Sequence, residues 1–171
     1  TKLFTDSTNN LLKLYIKDVC YDIYSVSNKN LLTLTKAVAT EVNNADLITS
    51  EQLTSMLEKY DVTEINYIAT NSIIQASSNA DFVGFDMNKG GVQSSEFLAL
   101  LGAITEYIQH FQPIGYDAQT YRKYAGVSLA AGGFIQVGYD EDDYYRAVGV
   151  AVNEVVKNRH IGESGFLIVT D

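Results

Sequence analysis

Between Ser7 and Asn43 the chain contains neither glycine nor proline, and its apolar residues recur at helical spacing. Leu12, Ile16, Val19, Ile23 and Val26 are separated by 4, 3, 4 and 3 residues, the heptad step of a coiled-coil seam. After Asn28-Lys29-Asn30 the stripe resumes one residue out of phase at Leu31, Leu34, Val38 and Val42. The pattern predicts either one long helix, with or without a bend near residue 28, or two helices in close succession. Such a segment exceeds the ~11–12 residues of an average globular helix, so it is expected to project from the domain or to pair.

The period changes beyond it. Thr49 with Gln52 three residues on is a capping-box pattern and opens a short helix from Ser50 to Lys59, with Leu53, Met56 and Leu57 inward. Val62–Ala69 and Ile73–Ala76 read as strands around an Asn71-Ser72 turn, and Ser77–Gln93 reads as loop. Ser94 or Ser95 is expected to cap a helix carrying Phe97, Leu98, Leu100 and Leu101. Tyr107–Phe111 and Arg122–Leu129 read as strands around a loop with Pro113 and Gly115, and an Ala130–Gly133 turn leads into a strand at Phe134–Tyr139. Asp140 caps a helix to about Asn158 with Tyr144, Val148, Ala151, Val152 and Val155 on one face, and Phe166–Val169 is a last strand. About five locally connected strands predict an α+β fold with a central antiparallel sheet. Three segments result: helical residues 1–60, a sheet unit at 61–158, and the final strand at 159–171.

Composition narrows the partners. A chain of 171 residues is one domain at ~100–200 residues each, and it buries roughly 70% of its unfolded surface without needing a staple. Twelve Lys and Arg against 21 Asp and Glu give a formal charge of −9, which argues against nucleic acid and against an anionic membrane surface. The longest apolar run, Phe97–Ile104, is far short of the ~20 residues of a spanning helix. No signal-peptide pattern is present, and a chain beginning at Thr1 reads as an excised piece of a longer protein. The single Cys20 excludes an internal disulfide, and with His110 and His160 it makes no ordinary structural zinc site.

Few motifs point to chemistry. Asp140-Glu141-Asp142-Asp143 lacks the turn glycine and spaced ligands of a calcium loop, since Tyr144 and Tyr145 follow, and fits a helix N-terminus that attracts carboxylates. In Gly84–Gly91 the lysine, Lys89, precedes Gly90, the wrong order for a phosphate loop. No serine lies in a nucleophile elbow, and Cys20 on the helix seam reads as a small hydrophobe. Tyrosine is the unusual residue: there are 12, with no tryptophan. Tyr107, Tyr116, Tyr121, Tyr124 and Tyr139 fall in or beside the later strands with Gln109, Arg122, Lys123 and Gln136. Aromatic walls with a few fixed polar groups suit a small-molecule pocket, and equally a sheet surface with tyrosine tips in water. The candidate ligand-binding residues are Tyr107, Gln109, Arg122, Tyr124 and Gln136.

Gly162-Glu163-Ser164-Gly165-Phe166-Leu167-Ile168-Val169-Thr170-Asp171 resembles a recurring segment of bacterial extracytoplasmic Cache (PAS-like) sensor domains. The hairpin within Ile65–Ser77, the Gly84-Phe85-Asp86 loop, and Tyr124–Val127 followed by Gly133–Asp140 are similar to that family as well. The likeness spans nearly the whole chain. It departs from the amino-acid-binding members in having no tryptophan, so their Arg-x-Trp-Tyr pattern is absent.

What the resemblance implies is a non-catalytic sensor module without a cofactor, displayed outside the cytoplasmic membrane, with membrane-spanning helices beyond the supplied ends. It would be either the distal unit of a tandem sensor or a single unit whose last strand docks on the same sheet. A small molecule seated between the sheet and residues 78–120 would bias the long helices, and a homodimer would form through Leu12, Ile16, Val19, Ile23 and Val26. The output module, whether histidine kinase, chemoreceptor, cyclic-dinucleotide enzyme or phosphatase, lies elsewhere. The alternatives are a secreted hydrolase-type enzyme and a cytoplasmic PAS-like protein-interaction domain.

Overall fold

A computed structural model describes residues 2–45, 47–115, 117–157, 159–161, 165–166 and 168, the side chains of 2–4, 160, 161 and 166 excepted. The chain divides into two compact units, residues 30–145 and residues 1–29 with 146–171. The first helix, α1, is continuous over Lys2–Asn43 and runs unbroken through Asn28–Asn30. No glycine or proline interrupts it, and Thr35, buried in its interior, returns its hydroxyl to Leu31 O at 2.8 Å.

In the larger unit, α2 (Ser50–Tyr60) begins as its sequence predicts, with Thr49 Oγ1 accepting from Gln52 N at 3.2 Å. Lys59 and Tyr60 donate to Glu41 Oε2 at 2.5 and 2.6 Å, tying α2 to the end of α1. The strands are β1 (Glu64–Ile68), β2 (Ile74–Ser77), β3 (Glu106–Ile108), β4 (Gln112–Pro113), β5 (Tyr121–Ser128) and β6 (Phe134–Tyr139). They pair antiparallel in the order β2-β1-β6-β5-β3, with β4 also on β5, which is the expected α+β, PAS-like arrangement.

Registers assign the faces, because successive side chains point to opposite sides. Glu64, Asn66 and Ile68 oppose Gly138, Gln136 and Phe134 across β1 and β6, and Tyr124, Gly126 and Ser128 continue the same face on β5. The other face carries Ile65, Ile135, Val137 and Ala125, all fully buried. On that second face Glu106 pairs with Lys36 of α1 at 2.5 Å.

Lys123 lies on the second face and is buried, which pulls its ammonium down to about 8. An unfolded lysine titrates near ~10.4, so between about pH 8 and that value the unfolded chain binds more protons than the folded one. Stability is therefore expected to rise with pH across that window. Thermal unfolding at closely spaced pH values should show the rise, and Lys123→Met should remove it. An unchanged slope in the variant would assign the effect elsewhere.

Several expectations need correction. The segment read as loop is built: Ala80–Phe82 and Met87–Lys89 are single 3₁₀ turns, and Phe82 and Met87 are buried. Ser94 caps no helix, and Ser95 holds the N-cap position of the segment carrying Phe97 but makes no side-chain capping bond. Both lie inside α3 (Gly91–Ser95), and the apolar residues Phe97, Leu98, Leu100 and Leu101 follow in a 3₁₀ helix, Glu96–Leu101. Pro113 is in β4 rather than in a loop, opposite Tyr121, and a short flanking strand of this kind tolerates its missing N–H. Gln109 and His110 lie just beyond β3.

In the smaller unit, Arg159 pairs with Asp18 at 2.9 Å and with Asp22, and its guanidinium stands over the Tyr15 ring at 5.6 Å. Val19 of α1 and Ala151 and Val155 of α4 (Glu141–Lys157) are buried, whereas Cys20 is exposed and not the buried hydrophobe its seam position implied. Among the described residues the short strands β7 (His160–Ile161) and β8 (Gly165–Phe166) pair with each other in a two-stranded sheet of their own. Of the predicted strand 166–169, Phe166 is in β8 and Ile168 is exposed outside it. Leu167, Val169, Gly162–Ser164, Asn158 and Tyr116 fall outside the described residues.

Candidate functional site

The first face of the sheet carries polar side chains where a core would ordinarily be apolar. Glu64, Asn66, Ser77 and Gln136 are all buried. Glu64 Oε1 accepts from Asn66 Nδ2 and from Tyr124 Oη, each at 2.6 Å. Asn66 Nδ2 also donates to Gln136 Oε1 at 3.2 Å, and Ser77 Oγ donates to Asn66 Oδ1 at 2.5 Å. Arg122 Nε lies 3.6 Å from Glu64 Oε2.

Gly138 makes this reach possible. It sits opposite both Glu64 on β1 and Tyr124 on β5, and a Cβ there would meet the Tyr124 ring at 2.5 Å. Without that carbon the ring lies across β6 and delivers its hydroxyl to a carboxylate one strand away. Burial pushes the Glu64 carboxyl above its ordinary value, against the pull of Tyr124, Asn66 and Arg122. Burial, reinforced by the Glu64 carboxylate, raises the Tyr124 phenol well above 10.

Over this floor lies a roof made by residues 79–94 and 114–115. Ile74 N donates to Phe85 O and Gly84 N to Ile74 O, at 3.0 and 2.8 Å, so the roof is stitched to β2 by main-chain bonds. Asp86 accepts from Asn88 N at 3.0 Å and starts the second 3₁₀ turn. Gln93 is the polar hub of the roof. Its Oε1 accepts from Gly115 N at 2.7 Å, and its Nε2 donates to Gln109 Oε1 at 2.9 Å. Gln109 Nε2 donates in turn to Gln93 O and Glu96 Oε2, both at 2.6 Å.

Between floor and roof lies a pocket partly open to solvent, of which only about 20 Å³ admits the centre of a water molecule. That is room for roughly one or two waters. Apolar side chains, among them Ile74, Phe82, Phe85, Met87 and Ile114, meet Asn66, Gln93, Ser94, Tyr124 and Gln136 around it.

The five sequence candidates occupy three places. Tyr124 and Gln136 line the cavity. Arg122 does not line the cavity and is the partner of Glu64 on the same face of the sheet. Tyr107 packs its ring edge-on against Phe97 at 5.1 Å, and Gln109 fastens the roof. Glu64, Asn66 and Gln93 were not anticipated. Their one sequence signal is a pair of polar residues two apart in an otherwise apolar strand, a pattern shared by any strand with one wet face. The acidic run does what a helix start requires: Asp140 Oδ1 accepts from Asp143 N at 2.9 Å, and Thr63 bridges Asp140 N and Asp143.

Neither a family model nor a curated protein matches this sequence. Solved structures do. An extracellular ligand binding receptor from Desulfohalobium retbaense is similar at a TM-score of 0.50 and 12% identity, over 76% of this chain and 24% of that one. The sensory domain of the Campylobacter jejuni chemoreceptor Tlp3, solved with isoleucine bound, has a TM-score of 0.50 and 12% identity over 80% of this chain and 65% of that one. The sensor domain of the Vibrio cholerae histidine kinase DctB matches at 0.47 and 17%, over 82% of this chain and 54% of that one. The chain thus spans about a quarter to two thirds of these structures. The class this defines is one of fold: a PAS-like sheet with a long N-terminal helix, similar to those two structures at a TM-score of 0.50.

Proposed function

We infer that this chain is the ligand-sensing module of a membrane signalling receptor, acting outside the cytoplasmic membrane and binding a small molecule without converting it. The observation that carries the reading is the small pocket between a polar sheet floor and a largely apolar roof, in a fold shared with an extracellular ligand binding receptor and a chemoreceptor sensory domain. Tyr124 and Gln136 are the direct ligand contacts, while Arg122, Tyr107 and Gln109 hold the walls against which the ligand packs. Binding shifts the long helix between two arrangements, by as much as the ligand's affinity for them differs.

A thermal-shift screen against metabolites tests this. A true ligand at 100-fold its Kd stabilises the native state by ~2.7 kcal/mol, which at ~2–4 °C per kcal/mol for a chain of this size raises Tm by several degrees. The shift should shrink in Gln136→Ala. A hit equally strong in that variant binds elsewhere, and the cavity is then not the sensor site.

The same reading assigns α1 a pairing role. Leu12 and Ile16 are 56% and 52% exposed, Ile23 and Val26 are half-buried and Val19 is buried, so the seam presents apolar surface chiefly at Leu12 and Ile16. A second copy pairing through Leu12, Ile16, Val19, Ile23 and Val26 covers it, and alternative registers of such a pair would supply the switch. Sedimentation is expected to show a dimer at high micromolar concentration and a monomer for the Ile16→Glu, Ile23→Glu double variant. A monomeric parent removes the pairing role.

A further inference from the structure

The cavity has a chemical bias of its own. Among the described residues no carboxylate, ammonium, guanidinium or imidazole lines it. Glu64 and Arg122, on the same face of the sheet, face each other at 3.6 Å, and Glu64 Oε1 already accepts from Tyr124 and Asn66. An ion entering this space sheds its water and meets no counter-charge, which makes burial of any charged occupant unfavourable.

Of the side chains that line the cavity, one donor is left over. Gln136 is 2% exposed, and among the described residues its Nε2 meets no acceptor. The orientation of that amide follows from the network. The Glu64 carboxylate only accepts, and the Ser77 hydroxyl donates to Asn66 Oδ1, so Asn66 presents Nδ2 towards Gln136. Gln136 must then turn its oxygen to Asn66 and its NH₂ the other way. A flipped amide would set two donors against each other. A buried donor without an acceptor is disfavoured, and an oxygen of an occupant of the cavity is the group that satisfies it.

We propose that the cavity takes an uncharged small molecule whose carbonyl or hydroxyl oxygen accepts from Gln136 Nε2 and whose apolar body lies under Phe82, Phe85 and Met87, and that it rejects free amino acids and carboxylates. This rests on the reading of the cavity as the sensor site and narrows it to one chemical class. An occupant larger than a few waters either extends through the open side of the pocket or displaces the roof outward. That displacement is the mechanical event a sensor can report.

Calorimetric titration of the whole chain with a shape-matched series tests the proposal. The probes are isocaproamide, isocaproate, isoamylamine and leucine, with valerolactam and cyclohexanone as further neutral carbonyl compounds and methylcyclohexane as the oxygen-free control. At least one neutral carbonyl compound is expected to bind, with each ionised counterpart weaker by about tenfold or more. Gln136→Met, which keeps length and apolarity but has no donor, should lose about tenfold in affinity for it.

If isocaproate, isoamylamine or leucine binds more tightly than the neutral probes, the proposal is overturned while the sensor reading stands. Affinity within about twofold in Gln136→Met overturns it too, because the donor then contributes little. Should that variant not fold, the comparison of cyclohexanone with methylcyclohexane on the parent chain decides: equal affinity excludes the oxygen contact. If no probe of either kind binds at about 10 mM, the sensor-site reading falls together with the proposal.

Discussion

Replacing Glu64 with alanine is expected to destabilise the larger unit by about 3–5 kcal/mol, the range for breaking a buried ion pair from one side. The carboxylate is 1% exposed and serves as acceptor for Tyr124 Oη and Asn66 Nδ2 while facing Arg122 Nε. Its removal leaves a phenol hydroxyl and an amide N–H buried without that acceptor, and a guanidinium without its countercharge. Chemical denaturation measures the loss directly. Glu64→Gln should cost less, because the amide oxygen still accepts from Tyr124. The double variant Glu64→Leu, Arg122→Leu should recover part of the loss, since no lone charge remains.

The sign of the pH effect follows from the raised Glu64 carboxyl. Above its unfolded value of ~4.3 the folded chain holds the proton longer, so the stabilisation present below that value is lost as pH rises through the folded value. Glu64→Gln should flatten this part of the profile. A Glu64→Ala cost below about 1 kcal/mol would mean that the carboxylate is solvated like a surface group, and the buried cluster would have to be abandoned.

Phe97→Ala is the second large effect, at about 3–5 kcal/mol, as for other buried Phe-to-Ala changes. The ring is fully buried, edge-on to Tyr107 and to Tyr124 at 5.1 and 6.2 Å, and stacked on Phe134 at 6.3 Å. It fits because Gly126 beneath it has no side chain: a Cβ there would stand 2.9 Å from Phe97 Cδ1 and 2.5 Å from Leu100 Cδ1. Phe97 therefore anchors the 3₁₀ segment to the same strand that carries Tyr124. Calorimetry should show Tm lower by roughly 6–20 °C, taking ~2–4 °C per kcal/mol. A shift of a degree or two would mean that the segment rests on the sheet without being held by this ring.

These two residues show where sequence reading stops. Phe97 was legible as a core residue within an apolar helical run, although that run proved to be 3₁₀ and to follow α3. Glu64 was not legible. Glu64-Ile65-Asn66-Tyr67-Ile68 alternates like a strand with one wet face, and alternation is blind to whether a second layer covers that face. Here the roof covers it, and its own residues Phe82 and Met87 were hidden in a stretch rich in Ser, Asn, Asp and Gly. Tyr124 and Gln136, which line the cavity, stand out in the sequence because aromatic and amide groups on late strands are uncommon enough to notice. Tyr107, Gln109 and Arg122 were found by the same signal, which does not separate a cavity wall from its support.

The amino acids by themselves determined the local structure: the uninterrupted α1, the Thr49 and Asp140 helix starts, the strands on either side of the Ala130–Gly133 turn, and hence an antiparallel α+β sheet. These depend on interactions within a few residues, where spacing, caps and turn chemistry act directly. Only the tertiary structure decided that Glu64, Asn66, Gln136 and Tyr124 form one buried cluster, because their contacts join three strands across as many as 70 positions of chain. Pairing register and a missing side chain at Gly138 set those distances, and no local pattern encodes either.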